Sequence, residues 1–167
     1  MLFESAFLIS LMAATLLCTL VTGFILIFAI VVMPGIGTLQ DREFLHAFQV
    51  MDRVIQEKQP LFVAIWIGSA VMLIVAALLG LAALEGMSRL LLIATAIIYL
   101  LGAQLPTVLV NIPLNNRLQT LNMAALAHPE QITERNHFEP RWTHWNKIRT
   151  IFASLASIIL ITLLIFI

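Results

Sequence analysis

The chain is poor in charge, in cysteine and in flexible linkers, and each shortage excludes a class of protein. Only 11% of its 167 residues are charged, and nine basic and nine acidic residues give a net charge of zero. No basic field is available to hold nucleic acid, so we expect no nucleic-acid partner. The single cysteine, Cys18, excludes a disulfide within the chain and a cysteine zinc site. No Gly/Ser-rich linker or repeat marks a boundary between domains.

Apolar residues are correspondingly abundant. They make up 61% of the chain, and the mean hydropathy is +1.02, both far above the values of soluble domains. A membrane-spanning helix needs about 20 mostly apolar residues. Four stretches meet that requirement, at about 7–33, 61–84, 90–110 and 147–167. The sequence predicts an all-α, integral membrane four-helix bundle formed by a single domain, residues 1–167.

Lys and Arg concentrate in the two long connections between the predicted spans. Eight of the nine lie in or beside these connections, and Arg89 alone lies in the short one. Because short loops rich in Lys and Arg stay in the cytoplasm, we expect both long connections inside the cell and both termini outside. The expected location is the cytoplasmic (inner) membrane. If the arginines serve a binding site instead, their number says less about topology.

The first long connection, residues 40–57, has the pattern of an amphipathic helix. Four apolar residues recur there at helical spacing: Phe44, Phe48, Met51 and Ile55. One interpretation is a helix that lies in the headgroup layer with its aromatic face in lipid. The other is a helix that covers the end of the bundle and points His46, Gln49 or Asp52 at a ligand. The connection between the third and fourth spans is also expected to be helical.

Amide and hydroxyl side chains form a stripe along the third span and its extension. They follow one another at helical spacing: Gln104, Thr107, Asn111, Asn115 and Asn122. Because unpaired amides are costly in hydrocarbon, the stripe is expected to face the bundle interior. There it would either hydrogen-bond neighbouring helices or line a cavity. Pro106 and Pro113 favour the cavity, since a helix broken at membrane depth is tolerated where it lines one.

The residues that lead into the fourth span place aromatic and polar groups on one helical face. Trp142, Trp145, Asn146 and Arg149 stand at positions i, i+3, i+4 and i+7. Tryptophan and arginine are ordinary anchors at a membrane interface, which would explain the pattern without a ligand. An anchor needs no asparagine, however. Flat aromatics beside Arg and Asn are also suited to stack on a planar ring and hydrogen-bond its oxygens.

All four histidines fall in the long connections: His46, His128, His137 and His144. A metal or haem site built from them is the less favoured alternative, because no His pair at i and i+4 and no Cys/His signature occurs. Nucleotide-binding motifs are missing as well, since the chain has no P-loop and no Gly-x-Gly-x-x-Gly. We therefore expect neither a metal nor another cofactor.

Four sequence elements occur in a characteristic order. They are Val32-Met33-Pro34-Gly35, Phe48-Gln49, Asn111-Ile112-Pro113-Leu114-Asn115, and Arg141-Trp142 followed by Trp145-Asn146-Lys147-Ile148-Arg149-Thr150. In this order, and over nearly the whole chain, the sequence resembles the small four-helix membrane proteins of the anthrone oxygenase-like family. One departure is Asp52, which stands three residues after Gln49, where the family pattern has an asparagine.

The resemblance implies a membrane oxygenase that oxidises a planar polycyclic anthrone to an anthraquinone with O₂, without metal or flavin. Such a reaction needs a base, stabilisation of an oxyanion and exclusion of bulk water. The catalytic residues predicted on this basis are Asp52, His144, Asn111, Asn146 and Arg149. The predicted substrate-binding residues are Gln49, Gln104, Asn115, Arg141, Trp142 and Trp145.

Within this set, Asp52 or His144 would take the proton, and Arg149 or Arg141 would stabilise the anion. The asparagines would donate hydrogen bonds to phenolic oxygens, and the two tryptophans would stack on the rings. The site is expected at the cytoplasmic end of the bundle, with a hydrophobic planar molecule or a lipid as ligand. The alternative is a non-enzymatic membrane protein that binds a quinone, a lipid or a partner subunit. A homo-oligomer is compatible with both functions.

Overall fold

The computed structural model describes residues 2–57 and 59–167, and this part of the chain forms helices and no strand. Lys58, one of the basic residues of the first connection, lies outside the described residues. Five helices follow one another: α1, Leu2–Ile36; α2, Asp41–Gln56; α3, Pro60–Ala83; α4, Gly86–Gln119; and α5, His128–Phe166. All except α2 are long and apolar enough to cross a membrane. The predicted all-α fold with four spanning helices is therefore confirmed.

The four long helices pack as a ring. α1 lies between α3 and α5, and α4 packs on α5. α3 meets α4 mainly along the first part of α4, close to the turn that joins them. Apolar side chains fill the centre of the ring, among them the fully buried Leu11, Leu73, Tyr99 and Leu160. Burial of this core from all four helices holds the bundle together.

The turn between α3 and α4 is short and is fixed by two local features. Gly86 has a φ of +54°, which glycine adopts without the steric strain that a side chain would add. Arg89 donates from Nε to the carbonyl oxygen of Leu84 at 2.6 Å. The two helices therefore reverse direction within a few residues.

At the opposite end of the bundle, α2 covers the helices. Its buried residues Phe44 and Phe48 pack into a second apolar cluster with Phe138 and Trp142 of α5. Arg135 of α5 fixes the start of α2, since it donates to the carbonyl oxygens of Gly37 and Leu39 and to Asp41 at distances of 2.8–3.0 Å. Of the two interpretations of this helix, the structure shows the one in which it covers the bundle.

Three prolines widen the spanning helices without ending them. Pro34, Pro106 and Pro113 each follow a π-helical turn, at Phe28–Val32, Leu100–Gln104 and Thr107–Asn111. Proline has no N–H, and its ring crowds the carbonyl four residues earlier; the wider turn accommodates both effects. In the third of these turns, for example, the N–H of Ile112 reaches back to the carbonyl of Thr107. The break expected at Pro106 and Pro113 is thus absent, and α4 continues to Gln119.

Candidate functional site

A cavity lies where the bundle meets α2, and all five helices contribute to its walls. Its lining comprises Phe24, Ile25, Phe28, Phe48, Asp52, Ile55, Phe62, Trp66, Thr107, Asn111, Ile112, Asn115, Trp142 and Arg149. The cavity volume is about 130 Å³. An apolar cavity of about 150 Å³ admits benzene. The cavity therefore holds about one aromatic ring, and its open side, the mouth, lets a larger molecule extend out of it.

A buried carboxylate, an amide and a guanidinium form the floor of this cavity, beside the buried hydroxyl of Thr107. Asp52, Asn111 and Arg149 are only 3%, 1% and 6% exposed, respectively. Among the described residues, neither Asp52 nor Arg149 forms an ion pair. A buried charge without an ionic partner is costly. Two such groups in one cleft are typical of a functional site.

Asp52 is surrounded by side-chain amides. Asn115 donates from Nδ2 to its Oδ1 at 2.7 Å, and Gln119 donates from Nε2 to its Oδ2 at 2.8 Å. Gln56 makes a longer contact of 3.3 Å to Oδ2. The Asn115 oxygen in turn accepts from the indole N–H of Trp142 at 2.8 Å. Because an indole N–H only donates, it fixes which end of the Asn115 amide faces Asp52.

Burial and hydrogen bonding act on the Asp52 carboxyl in opposite directions. Loss of water around the charged form raises the pKa of Asp52 above its ordinary value of 3.8, while the hydrogen bonds from Gln119, Gln56 and Asn115 lower it. Desolvation is the larger effect. The result is a carboxylate that binds a proton more readily than an exposed aspartate, as a general base should.

Arg149 is held by neutral partners on the opposite side of the floor. Asn146 Oδ1 accepts from Arg149 Nε at 2.9 Å and from Nη2 at 2.8 Å, and Thr107 Oγ1 accepts from Nη1 at 3.2 Å. The guanidinium also lies 5.2 Å from the Trp142 ring centre, a distance at which a cation is attracted to the ring. A guanidinium has five N–H groups, and three are used here. Two remain to bind an anionic oxygen.

Asn111 carries an unused acceptor. Its Nδ2 donates to the main-chain oxygen of Trp142 at 3.3 Å, whereas its buried Oδ1 has no hydrogen-bond partner within the described part of the chain. Since a carbonyl can only accept, the NH₂ of Asn111 must face Trp142, and its oxygen is left unpaired. Buried acceptors are almost always paired. A hydroxyl donor on a ligand would complete this one.

Aromatic rings form the walls above the polar floor. Trp142 lies 5.1 Å from Phe48 and 5.6 Å from Phe28, measured between ring centres. On the other side, Phe62 stacks on Trp66 at 5.6 Å and on Phe24 at 5.4 Å. A cleft with flat walls and a few fixed polar groups is suited to a planar ligand.

One comparison with known proteins identifies the family. A family model described as anthrone oxygenase matches residues 59–159. The chain belongs to the anthrone oxygenase family. The resemblance stated from the sequence motifs is thereby confirmed. The match includes Asn111, Trp142 and Arg149, whereas Asp52 precedes it. Comparisons with curated proteins and with solved structures find no match.

In this member of the anthrone oxygenase family, five predicted site residues line the cavity: Asp52, Asn111, Asn115, Trp142 and Arg149. A sixth, Asn146, is fully buried behind the floor. It holds the guanidinium of Arg149 and donates from Nδ2 to the carbonyl of Ile25 at 3.1 Å. Asn146 thus has the geometry of a positioning residue, and the catalytic roles of all six stay predictions.

Two predicted glutamines lie elsewhere. Gln49 donates to the carbonyl oxygens of Leu118 and Leu121 at 2.9 and 3.0 Å, so it ties α2 to the end of α4. Gln104 donates to the hydroxyls of Ser69 and Tyr99, both at 3.2 Å. For Gln104 this is the alternative interpretation of the polar stripe, in which its side chain hydrogen-bonds a neighbouring helix.

Three predicted residues of α5 point away from the cavity. Arg141 and His144 are exposed, and the half-buried Trp145 packs against the His144 ring at 5.9 Å. A step of three residues turns a helix by about 300°, so Trp145 and Asn146 fall on opposite sides of Trp142. The cavity is on the Asn146 side. The position of Trp145 fits the interface anchor that the sequence left open.

Sequence reasoning missed Gln119, which contacts Asp52. A signal was present, because Gln119 follows Asn115 by four residues and so continues the polar stripe. Asn122 is not part of that stripe; it lies beyond the end of α4, is exposed, and accepts from the N–H of Ala124. The aromatic wall of α3 carries no polar residue, and nothing in its sequence marks it as part of a site.

The four histidines do not form a site together. All four are exposed, and the described residues contain no group of three His, Cys, Asp or Glu side chains that could hold a metal ion. The cavity and its polar floor are therefore the candidate site that the structure supports best.

Proposed function

We propose that the protein oxidises a planar phenolic anthrone to an anthraquinone with O₂ in this cavity. The single observation that carries the proposal is the polar floor: a buried carboxylate and a buried guanidinium, neither with an ionic partner among the described residues, line one aromatic cleft. Membership of the anthrone oxygenase family supports the choice of substrate class. The roles of the individual residues are part of the proposal.

The first step is removal of a proton from the CH₂ carbon of the anthrone. Asp52 is the base in the cavity, with a pKa raised by burial. The electrons of the broken C–H bond pass into the ring system and place negative charge on the carbonyl oxygen. Arg149 has two N–H groups to bind that oxygen, and Asn111 has a free acceptor for a neighbouring phenolic hydroxyl.

The second step is reaction of the electron-rich anion with O₂. The anion reduces O₂, a carbon–oxygen bond forms at the former CH₂ carbon, and the peroxide takes back the proton held by Asp52. Loss of the second proton from that carbon then breaks the O–O bond and releases water. One anthrone and one O₂ give one anthraquinone and one water, so the electrons come from the substrate itself. The aromatic walls exclude bulk water while the anion exists.

The test measures O₂ uptake and anthraquinone absorbance together, with the protein in lipid nanodiscs and 1,8-dihydroxyanthrone, a phenolic anthrone, as substrate. Empty nanodiscs give the rate of uncatalysed oxidation, which is subtracted. We expect the two signals to appear in a one-to-one ratio. Asp52→Asn should lower the catalysed rate by about 10²–10⁴-fold, the usual contribution of a general base.

Glu43→Gln is the matched control, because it makes the same chemical change on an exposed residue of α2. It should keep the wild-type rate. If anthrone binds but neither O₂ uptake nor product exceeds the empty-nanodisc rate, the enzymatic proposal is wrong. The alternative, a membrane protein that binds a quinone or lipid without turnover, would then be favoured.

A further inference from the structure

The less buried part of the cavity lining is mostly apolar, whereas the charged groups of the lining are buried. The floor residues are buried, whereas Phe24, Ile55, Phe62 and Trp66 at the rim are half-buried and Ile112 is 41% exposed. Except for Ile55, these rim residues belong to helices that are apolar and long enough to span a membrane. The mouth of the cavity is therefore lined by the same kind of side chain that faces lipid.

The mouth lies between α3 and α4. These helices pack together near their connecting turn, and Gln104 hydrogen-bonds Ser69 across them at 3.2 Å. Between Ser69 and the start of α3, the remaining part of α4 does not pack closely on α3. The cavity-lining residues Phe62 and Trp66 of α3 and Ile112 of α4 lie on these stretches, which leave a gap between the two helices. At 1.5 Å per residue, Phe62 lies about 10 Å along the helix from Ser69.

The aqueous side of the floor is closed by amides. Gln56 of α2 donates to Asn116 of α4 at 2.9 Å and also contacts Asp52. Gln119 bridges the carbonyl oxygen of Gln49 and the Asp52 carboxylate at 2.9 and 2.8 Å. A ligand that came from water would have to displace these hydrogen bonds. The cavity-lining residues of α3 and α4 that flank the gap, Phe62, Trp66 and Ile112, are by contrast apolar.

We propose that the substrate enters from the bilayer, edge first, through the gap between α3 and α4. The stacked rings of Phe24, Phe62 and Trp66 form one wall of this path and match a flat, uncharged molecule. The oxygen-bearing edge then reaches Arg149 and Asn111. The identity of the ligand rests on the proposed function. The path itself requires only that the ligand is planar, apolar and dissolved in the membrane.

The test blocks the gap and measures binding, not turnover. Ile112→Cys is labelled in detergent with benzyl methanethiosulfonate and then placed in nanodiscs. Cys18 is fully buried, and mass spectrometry checks that only one label is present. Association of 9,10-anthraquinone is followed by stopped-flow quenching of tryptophan fluorescence, since Trp66 and Trp142 line the cavity. We expect the label to slow association by an order of magnitude relative to the same unlabelled variant.

Leu109→Cys, labelled in the same way, is the matched control. Leu109 is on the same helix and 62% exposed but does not line the cavity, so its label should leave the association rate unchanged. Gln56→Ala removes two of the hydrogen bonds that close the aqueous side and should also leave that rate unchanged. The proposal would be overturned if Gln56→Ala bound anthraquinone faster and the label on Ile112→Cys left the association rate unchanged. It would also be overturned if the unlabelled protein did not bind anthraquinone. Failure of anthrone oxidation with the predicted binding rates would overturn the proposed function alone.

Discussion

At the scale of single residues, the site is distinguished by the neutral groups that surround its two charged side chains. Asp52 and Arg149 are held by neutral amides, a hydroxyl and an indole ring. An ion pair would fix both charges in place and lower the basicity of the carboxylate. Neutral partners leave the carboxylate basic and the guanidinium free to bind an anion. This arrangement has direct consequences for pH dependence.

We expect kcat/KM to fall as the pH drops through the pKa of Asp52, because the base must be unprotonated. Burial raises that pKa, so the acid limb should have its midpoint above 3.8. The hydrogen bond from Gln119 lowers the pKa; its removal in Gln119→Met should therefore move the midpoint to higher pH. The measurement is a pH profile of catalysed O₂ uptake.

The exposed Gln40 offers a control for this shift, since Gln40→Met makes the same substitution away from Asp52. Its acid limb should coincide with that of the wild type. A midpoint that stays in place or moves downward in Gln119→Met would show that Asp52 is not the group whose protonation limits the rate.

Asn146 is expected to act through Arg149. Asn146→Ala removes the oxygen that accepts from two nitrogens of the guanidinium, so Arg149 should no longer be held toward the substrate anion. We predict a fall in kcat of about 10²-fold, as for loss of one donor to a developing oxyanion, with a much smaller change in KM. Asn136→Ala, an exposed position on the same helix, should change neither. A raised KM with unchanged kcat would assign Asn146 to ground-state binding instead.

At the scale of helices, the spans could be predicted because length and hydropathy alone define them. The site could be predicted only in part. Helical spacing groups Gln104 and Asn111 on one face, yet Gln104 contacts Ser69 and Tyr99 whereas Asn111 lines the cavity. Gln104 and Asn111 each end a π-helical turn, at Leu100–Gln104 and Thr107–Asn111. Each of these turns contains one extra residue and so rotates the part of the helix that follows it. Regular spacing cannot anticipate that rotation.

The same limit applies to contacts between helices. The sequence marks Trp142 and Arg149 as one face of α5 but does not say which helix that face meets. The partners come from α1, α2 and α4: Phe28 and Phe48 pack on Trp142, and Thr107 accepts from Arg149. No sequence signal marks the aromatic wall from α3, because in a membrane helix the same residue types face lipid and line cavities.

Close packing between α4 and α5 yields a prediction on stability. A Cβ at Gly102 would overlap the Cβ and Cγ of Phe152, which cannot swing away because they lie next to the backbone. We expect Gly102→Ala to destabilise the protein by about 1–3 kcal/mol, seen as a lower thermal unfolding temperature in detergent. Gly23→Ala is the control: a Cβ there meets nothing within 4 Å, and alanine is the better helix former by about 1 kcal/mol. Equal unfolding temperatures for the two variants would contradict the packing argument.

At the scale of the whole molecule, the two ends of the bundle differ. One end is the short turn at Gly86, and the other carries α2, the start of α5 and the described ion pairs. These pairs join Arg117 to Glu134 at 2.7 Å and Arg135 to Asp41 and Glu139 at 3.0 and 2.7 Å. The candidate site lies next to this charged end. Its polar floor is therefore close to water, while its mouth opens between two spanning helices.

This asymmetry predicts the orientation of the protein in its membrane. Basic residues favour the cytoplasmic side, so the end that carries α2 and Asp52 should face the cytoplasm, with both termini outside. Green fluorescent protein fused after Ile167 should stay dark when exported, whereas alkaline phosphatase at the same position should be active. The two reporters inserted between Leu121 and Ala127, in the connection of α4 and α5, should give the opposite pattern. Fluorescence of the fusion after Ile167 would instead indicate the opposite orientation, in which Asp52 exchanges its proton with the outside of the cell.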